Sequence, residues 1–139
     1  MPKKCLVEIA KLALQLAKDG DHVNDCLLGL TLLVELWQIE PETVAGLEDQ
    51  IMNDLKRHSK DLASNLLRIA SVRLMFNLLG HFAPIKNTFA PMIYKALTFT
   101  FIDFYDNNEM RDEIIKGFAH LFKNNQTIPV GILLKPMLD

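Results

Sequence analysis

The chain has 139 residues, 50% of them hydrophobic and 23% charged, with a formal net charge of -2 at pH 7. This composition excludes a chain that is disordered throughout, because it supplies enough apolar side chains for a core. The charge excludes the strongly basic balance that is typical of proteins binding nucleic acid or anionic lipid. We therefore expect one domain over residues 1–139.

The first twenty residues, MPKKCLVEIAKLALQLAKDG, place lysines before an apolar run, as a signal peptide does. Glu8 and Lys11 interrupt that run and no small-residue cleavage site follows, so an amphipathic helix from about Lys3 to Lys18 fits better. Its predicted apolar stripe consists of Ile9, Leu12, Ala13 and Leu16. No stretch approaches the ~20 apolar residues of a membrane span.

Gly20 ends the first helix, and Asp21 is a plausible N-cap for a second one. The second helix is apolar on two sides, which is typical of a helix buried between neighbours. One stripe contains Val23, Cys26, Leu27, Leu30, Leu33, Val34 and Trp37, and the other contains Leu28, Leu32, Leu36 and Ile39.

A third helix is predicted to begin near Pro41, which suits a first helical position. Its core stripe is Val44, Leu47, Ile51 and Leu55, and its water-facing side is Glu48, Asp49, Asn53, Asp54, Lys56 and Arg57. A fourth helix, from about Asp61 to Phe82, is apolar almost all round and includes Leu66, Ile69, Val72, Phe76 and Leu79.

The segment MIYKALTFTFIDFY is rich in β-branched and aromatic residues, which permits a strand on propensity alone. We predict a fifth helix instead, capped by Thr88, because Met92, Ala96, Phe99 and Ile102 keep helical spacing. A sixth helix follows a turn at Asp106 to Asn108. Its inward residues are Met110, Ile114, Phe118, Leu121 and Phe122, opposite Asp112, Glu113, Lys116, His120 and Lys123. A short seventh helix is predicted in PVGILLKPMLD.

Three segments open in the same way: HVNDCLLGLTLLVEL, SVRLMFNLLGHF and EMRDEIIKGFAHLF. In each, an apolar residue precedes a polar one, and further apolar residues recur at helical spacing. The pattern resembles the second helix of HEAT repeats, and NTFAPMIYKAL and TIPVGILLKPML resemble the first. The resemblance implies an all-α, right-handed α-solenoid of about three helical hairpins, HEAT- or armadillo-like, with a short C-terminal helix. A closed helical bundle is the alternative.

The resemblance also implies that Arg73 and Arg111 are structural, each pairing with an acidic residue or carbonyl of a neighbouring repeat. The two cysteines, Cys5 and Cys26, lie in apolar helical patterns, and we expect buried thiols in the cytoplasm or another reducing intracellular compartment. No catalytic motif and no His or Cys at metal-ligand spacing is present, so we expect neither an enzyme nor a cofactor.

The function expected of such a chain is non-enzymatic: a scaffold that binds a partner protein or amphipathic peptide. The candidate surface begins with Leu28, Leu32 and Leu36. It continues with Leu74, Met75 and Leu78, and then with Asp112, Lys116, His120 and Lys123. Burial of the leucines by adjacent helices is the alternative. A tubulin- or nucleic-acid-binding module is the second reading, with Lys56, Arg57, Lys60 and Lys86 as candidates, although nucleic acid is the weaker expectation.

The C-terminal segment is apolar and almost uncharged. A terminal solenoid repeat needs a polar outer face, so Leu133, Leu134 and Leu138 are predicted to form a self-association edge that supports a homodimer. We expect that this chain is a segment of a longer repeat protein.

Overall fold

The computed structural model describes residues 3–19, 22–82 and 88–124, and this part of the chain is helical with no strand. The helices are α1 (Lys3–Asp19), α2 (Val23–Ile39), α3 (Glu48–His58), α4 (Asn65–Phe82), α5 (Phe89–Asp103) and α6 (Asn108–Asn124), with a 3-10 helix at Pro41–Val44. The all-α prediction is confirmed. The seventh helix and the edge residues Leu133, Leu134 and Leu138 lie outside the described residues.

The chain divides into two compact units at Leu74 and Met75, within α4. In the first unit, α1 and α2 form an antiparallel hairpin against which the 3-10 helix and α3 pack. In the second unit, α5 packs on α6, and the last turns of α4 also contact α6.

Small residues hold α1 and α2 together. A Cβ atom placed on Gly29 would clash with the carbonyl oxygen of Ala13 and lie 2.8 Å from the backbone nitrogen of Ala17. Ala10, Ala13, Leu14 and Ala17 are the buried residues of α1. The predicted stripe of α1 is therefore partly wrong: Ala13 is buried, but Leu12 and Leu16 are exposed because the contact admits only small side chains.

The first stripe predicted on α2 is confirmed at five of its seven residues. Cys26, Leu30, Leu33, Val34 and Trp37 are buried, whereas Val23 and Leu27 are half-buried. The second stripe is not buried between neighbours as predicted. Leu36 is buried, but Leu28, Leu32 and Ile39 are exposed.

The third helix begins later than predicted. Pro41 starts a 3-10 helix, Gly46 follows with φ +84°, and α3 begins only at Glu48. A positive φ is favourable for glycine and breaks the helical path. The Gly46 N–H donates to Glu48 Oε1 at 2.8 Å, which holds the turn.

The N-terminus of α4 is built by polar side chains. Ser64 Oγ accepts the Leu67 N–H at 3.1 Å, and the buried Arg68 donates to the Asp61 carbonyl at 2.6 Å and to Asn65 Oδ1 at 2.7 Å. The helix therefore begins at Asn65 and not at Asp61, because the backbone of Asp61 is held as an acceptor outside it. Of its apolar residues, Ile69, Val72 and Leu79 are buried, Phe76 is half-buried and Leu66 is exposed.

The fifth segment is a helix and not a strand. Its β-branched residues Thr98 and Thr100 donate their hydroxyls to the carbonyls of Tyr94 and Ala96, four residues back, which satisfies them inside a helix. Of the residues whose spacing predicted the helix, Ala96 is buried, and Met92, Phe99 and Ile102 are exposed. Ile93 and Leu97 point inward.

The facing predicted for α6 is confirmed, with Met110, Ile114, Phe118 and Leu121 buried. Asn107 Oδ1 accepts the Met110 N–H at 3.1 Å and caps the helix. The ring of Phe118 meets the edge of Phe76 with centroids 5.1 Å apart. Gly117 lets that Phe76 ring approach the α6 backbone closely.

Candidate interaction surface

The outer side of the α1–α2 hairpin exposes a group of large apolar side chains, which we call the hairpin face. Its members are Leu12 (63% exposed), Leu16 (39%), Leu28 (61%), Leu32 (36%) and Ile39 (68%). Single exposed leucines are common on protein surfaces, but a cluster on adjacent helices marks a candidate binding site.

The contact at Gly29 determines which residues of α1 and α2 lie side by side on the hairpin face. Gly29 lies level with the stretch from Ala13 to Ala17, and its absent Cβ would be 3.2 Å from the Cβ of Leu16. In an antiparallel pair this places Leu28 beside Leu16 and Leu32 beside Leu12. Each leucine pair on one helix is spaced i, i+4, so the four side chains form a square.

Charged residues border the leucine square of the hairpin face. Glu8 and Lys11 are exposed on α1 and form an ion pair of 3.6 Å. Glu35 is exposed on α2, three residues after Leu32 and four before Ile39, so it lies on the same stripe of the helix between them. An apolar centre with a polar rim is the usual organisation of a protein interface.

The other predicted partner-binding residues fall into two groups. Leu74, Met75 and Leu78 are buried, at 8%, 0% and 0% exposure. They are core residues in this structure. Asp112, Lys116, His120 and Lys123 are all exposed on α6, as predicted.

The two arginines implied to be structural have different environments. Arg111 Nη1 donates to the Tyr105 carbonyl at 3.5 Å, and its guanidinium lies 5.6 Å from the centre of the Tyr105 ring. Arg111 therefore contacts the turn just before its own helix, and its Nε atom also lies 3.7 Å from Asp112 Oδ1 on the same helix. Arg73 is exposed on α4.

A polar cleft of about 250 Å³ lies where α3 crosses the C-terminus of α1. It is lined by Lys18, Gln50, Asn53, Asp54 and Arg57. Asp54 is buried, contrary to its predicted water-facing position, because Arg57 Nη2 lies 3.2 Å from its Oδ1 atom.

The ring of His58, which is also buried, lies beside this cleft and caps α1. His58 Nε2 is 2.9 Å from the Ala17 carbonyl oxygen, and Arg57 Nη2 donates to the same oxygen at 3.5 Å. A carbonyl only accepts, so His58 donates to Ala17 in the tautomer that carries the proton on Nε2. In the other tautomer, the same nitrogen accepts from Arg57 Nη2, which lies 3.2 Å away. Cations near a helix C-terminus also interact favourably with its dipole. These contacts therefore hold the end of α3 against the C-terminus of α1.

The contacts of Arg57 also concern the alternative function, a tubulin- or nucleic-acid-binding module. Of the four basic candidates, Arg57 is engaged with Asp54 and Ala17, Lys56 is half-buried and Lys60 is exposed. Lys86 lies outside the described residues. A basic surface suited to nucleic acid needs several unengaged cations on one side.

The two thiols differ in environment. Cys5 is exposed, contrary to prediction, and Cys26 is buried, with no disulfide between them. Burial raises the pKa of Cys26; Arg57 lowers this pKa, and Asp25, Asp54 and Asp61 raise it further.

Residues 3–19, 22–82 and 88–124 contain no group of three or more His, Cys, Asp or Glu side chains placed to hold a metal ion. In the same ranges, no helix is long and apolar enough to cross a bilayer.

These features define an all-α chain with an exposed apolar helical hairpin. Comparison with models of known protein families, with curated proteins and with solved structures gives no match.

Sequence reasoning named Leu28 and Leu32 and missed Leu12, Leu16 and Ile39 as parts of the same surface. The signal that identifies them is Gly29. A glycine within an otherwise leucine-rich helix indicates close backbone contact, and that contact turns the flanking leucines outward.

Proposed function

We propose that this chain is a non-enzymatic protein-interaction module, built from helical repeats of the HEAT or armadillo type, and that the hairpin face is its binding surface. The observation that carries the proposal is the exposed square of Leu12, Leu16, Leu28 and Leu32. With Ile39, these residues expose on the order of 500 Å² of apolar surface, in the range of the largest patch on a typical monomer, which is often functional.

The shape of the surface suits a helical partner. Two antiparallel helices leave a shallow groove between them, and the leucines line both sides of it at i, i+4 spacing. An amphipathic helix places apolar residues at the same spacing and fits such a groove. Burying the five side chains removes apolar area worth about 25 cal/mol per Å² from water, before the cost of association.

The exposed charges of α6 have a different part in this proposal. Asp112, Lys116, His120 and Lys123 combine both signs on one helix surface. Charged rims contribute to partner selection and association rate more than to affinity. We expect substitutions there to change binding less than substitutions in the hairpin face.

The test compares three immobilised proteins in a pull-down analysed by mass spectrometry: the unmodified chain, Leu28→Glu and Leu66→Glu. Leu66 is the matched control, because it is 59% exposed on α4 and lies outside the hairpin face. A partner protein should be retained by the unmodified chain and by Leu66→Glu and lost with Leu28→Glu. Identical retention by all three proteins, or no specific retention by a chain that is also monomeric, would contradict the proposal.

A further inference from the structure

We infer that the partner of the hairpin face is a second copy of this chain, with two hairpins packed face to face as a four-helix bundle. This inference rests on the proposed use of the hairpin face for protein binding and identifies its occupant. Three observations support it: the register of the leucines, the area of the face and the position of the charges around it.

The register makes the face self-complementary. A two-fold interface requires one surface patch to pack on an identical copy of itself. In the hairpin, Leu12 lies beside Leu32 and Leu16 beside Leu28, in two layers about 6 Å apart along the helices. A rotated copy presents the same two layers, so eight leucines from four helices form one core. Four-helix bundles are built from such layers.

The area of the face agrees with the need of a stable dimer. The five residues of two copies together expose roughly 1,000 Å², which is the area that a biological interface should at least bury. The polar rim adds to this area.

The charges limit the apolar core of the dimer to the leucine square. Glu8 and Lys11 are paired with each other in each copy. Glu35 lies about one turn beyond Leu32 on α2, at the end of the four-leucine core and before Ile39. The core between the two leucine layers therefore contains only apolar side chains, and no charge has to be buried inside it.

Sedimentation equilibrium over a wide concentration range tests the inference with the full chain. The unmodified protein and the control Leu66→Glu should form a reversible dimer. Leu28→Glu should raise the dimer dissociation constant on the order of a hundredfold, because it places a carboxylate in the apolar core. Leu12→Glu, on the other helix, should have a similar effect. Far-UV circular dichroism shows whether each variant is folded, and any unfolded variant is replaced by the corresponding Leu→Gln substitution.

Three outcomes would overturn the inference. A strictly monomeric unmodified chain excludes a second copy; if Leu28→Glu still abolishes retention of another protein, the proposed function stands alone. A dimer that persists in both face variants and disappears in a chain ending at Gln126 places self-association at the predicted C-terminal edge. A dimer that is insensitive to all of these changes uses another surface.

Discussion

In each unit of the chain, two helices come together at a glycine, but the atoms that lie next to the glycine differ between the two units. At Gly29 the neighbouring atoms belong to the backbone of α1, at Ala13 and Ala17. At Gly117 they belong to the ring of Phe76 on α4. A helix backbone moves only as a unit, because its hydrogen bonds hold it, whereas a ring changes position by rotation of χ angles. The contact in the first unit is therefore the less adaptable one.

The two units also differ in which side chains fill the contact. In the first unit, alanines and a glycine fill the α1–α2 contact, and the leucines beside it remain exposed on one side of the hairpin. In the second unit, the Phe118 ring of α6 meets the edge of Phe76, yet Ile115 on the same helix is exposed, as are Phe99 and Ile102 on α5. Both units therefore leave large apolar side chains uncovered.

The largest effect is expected from Trp37→Ala in the first unit. Trp37 is 4% exposed on the inner stripe of α2. Its removal leaves a cavity and should lower the free energy of unfolding by about 3–5 kcal/mol, measured by urea denaturation. Trp37 is the only tryptophan, so its native fluorescence should be blue-shifted and should move to the red on unfolding. Native emission typical of a fully exposed tryptophan would contradict the assigned facing.

Gly29→Ala should lower the free energy of unfolding by about 3 kcal/mol, because the new methyl group meets backbone atoms that cannot move aside. Gly80→Ala is the matched control: its new Cβ has only the Leu121 Cδ1 atom nearby, at 3.9 Å. The control should stabilise the protein by about 0.5–1 kcal/mol through helix propensity. Equal stability changes for the two variants in urea denaturation would contradict the close α1–α2 contact.

Gly117→Ala should lower the free energy of unfolding by about 1–2 kcal/mol, less than Gly29→Ala, because the Phe76 ring can shift. The comparison becomes sharper in a double-mutant cycle with Phe76→Leu, measured by thermal denaturation. Removing the ring should relieve the clash with the new methyl group. The double variant should therefore lose less free energy of unfolding than the two single variants lose together. Additive effects would show that the ring and the glycine are not in contact.

The smallest effect concerns Tyr94 in the second unit at high pH. Burial raises the pKa of Tyr94 from 10.0 to about 12. As the pH rises, the unfolded chain therefore loses the Tyr94 proton before the folded chain does. The contribution of Tyr94 to the free energy of unfolding is complete below pH 10 and is lost as the pH rises from about 10 to about 12. Tyr94→Phe should reduce this decline in the urea midpoint, and Tyr105→Phe, whose ring is exposed, is the control. An unchanged decline in Tyr94→Phe would contradict the assignment.

Most helices were predictable from apolar periodicity, and α6 was also predictable in its facing. In α6, Asp112, Lys116, His120 and Lys123 are polar on one side, which leaves one choice for the inner side. In α1 and α5 the apolar residues surround more of the helix, so periodicity does not select one side. Leu12 was therefore placed on the apolar stripe of α1 and is exposed. On α5, the spacing of Phe99 and Ile102 predicted a helix but not its inner side.

The remaining differences depend on contacts between distant parts of the chain. Asp54 and His58 are polar by composition, yet they are buried because α3 ends against the C-terminus of α1. Arg68 is buried because it caps the turn before α4. The hairpin face was found only in part, because the rotation of α1 is set by its contact with Gly29. The arrangement of hairpins as a solenoid or a bundle stays a prediction.

The contrast between the two cysteines provides a means of timing the opening of the first hairpin. A thiol reagent added to the native protein should modify the exposed Cys5 at once, whereas Cys26 should react only when α2 separates from the core. At a saturating concentration of the reagent, the rate of the slow phase of Cys26 modification equals the rate at which the hairpin opens. At a low concentration, the rate of Cys26 modification divided by the rate for a cysteine in a short unfolded peptide gives the equilibrium constant for opening. Because Cys26 lies three residues before Gly29, the same readout in Cys5→Ser follows the α1–α2 contact as it forms and breaks in solution.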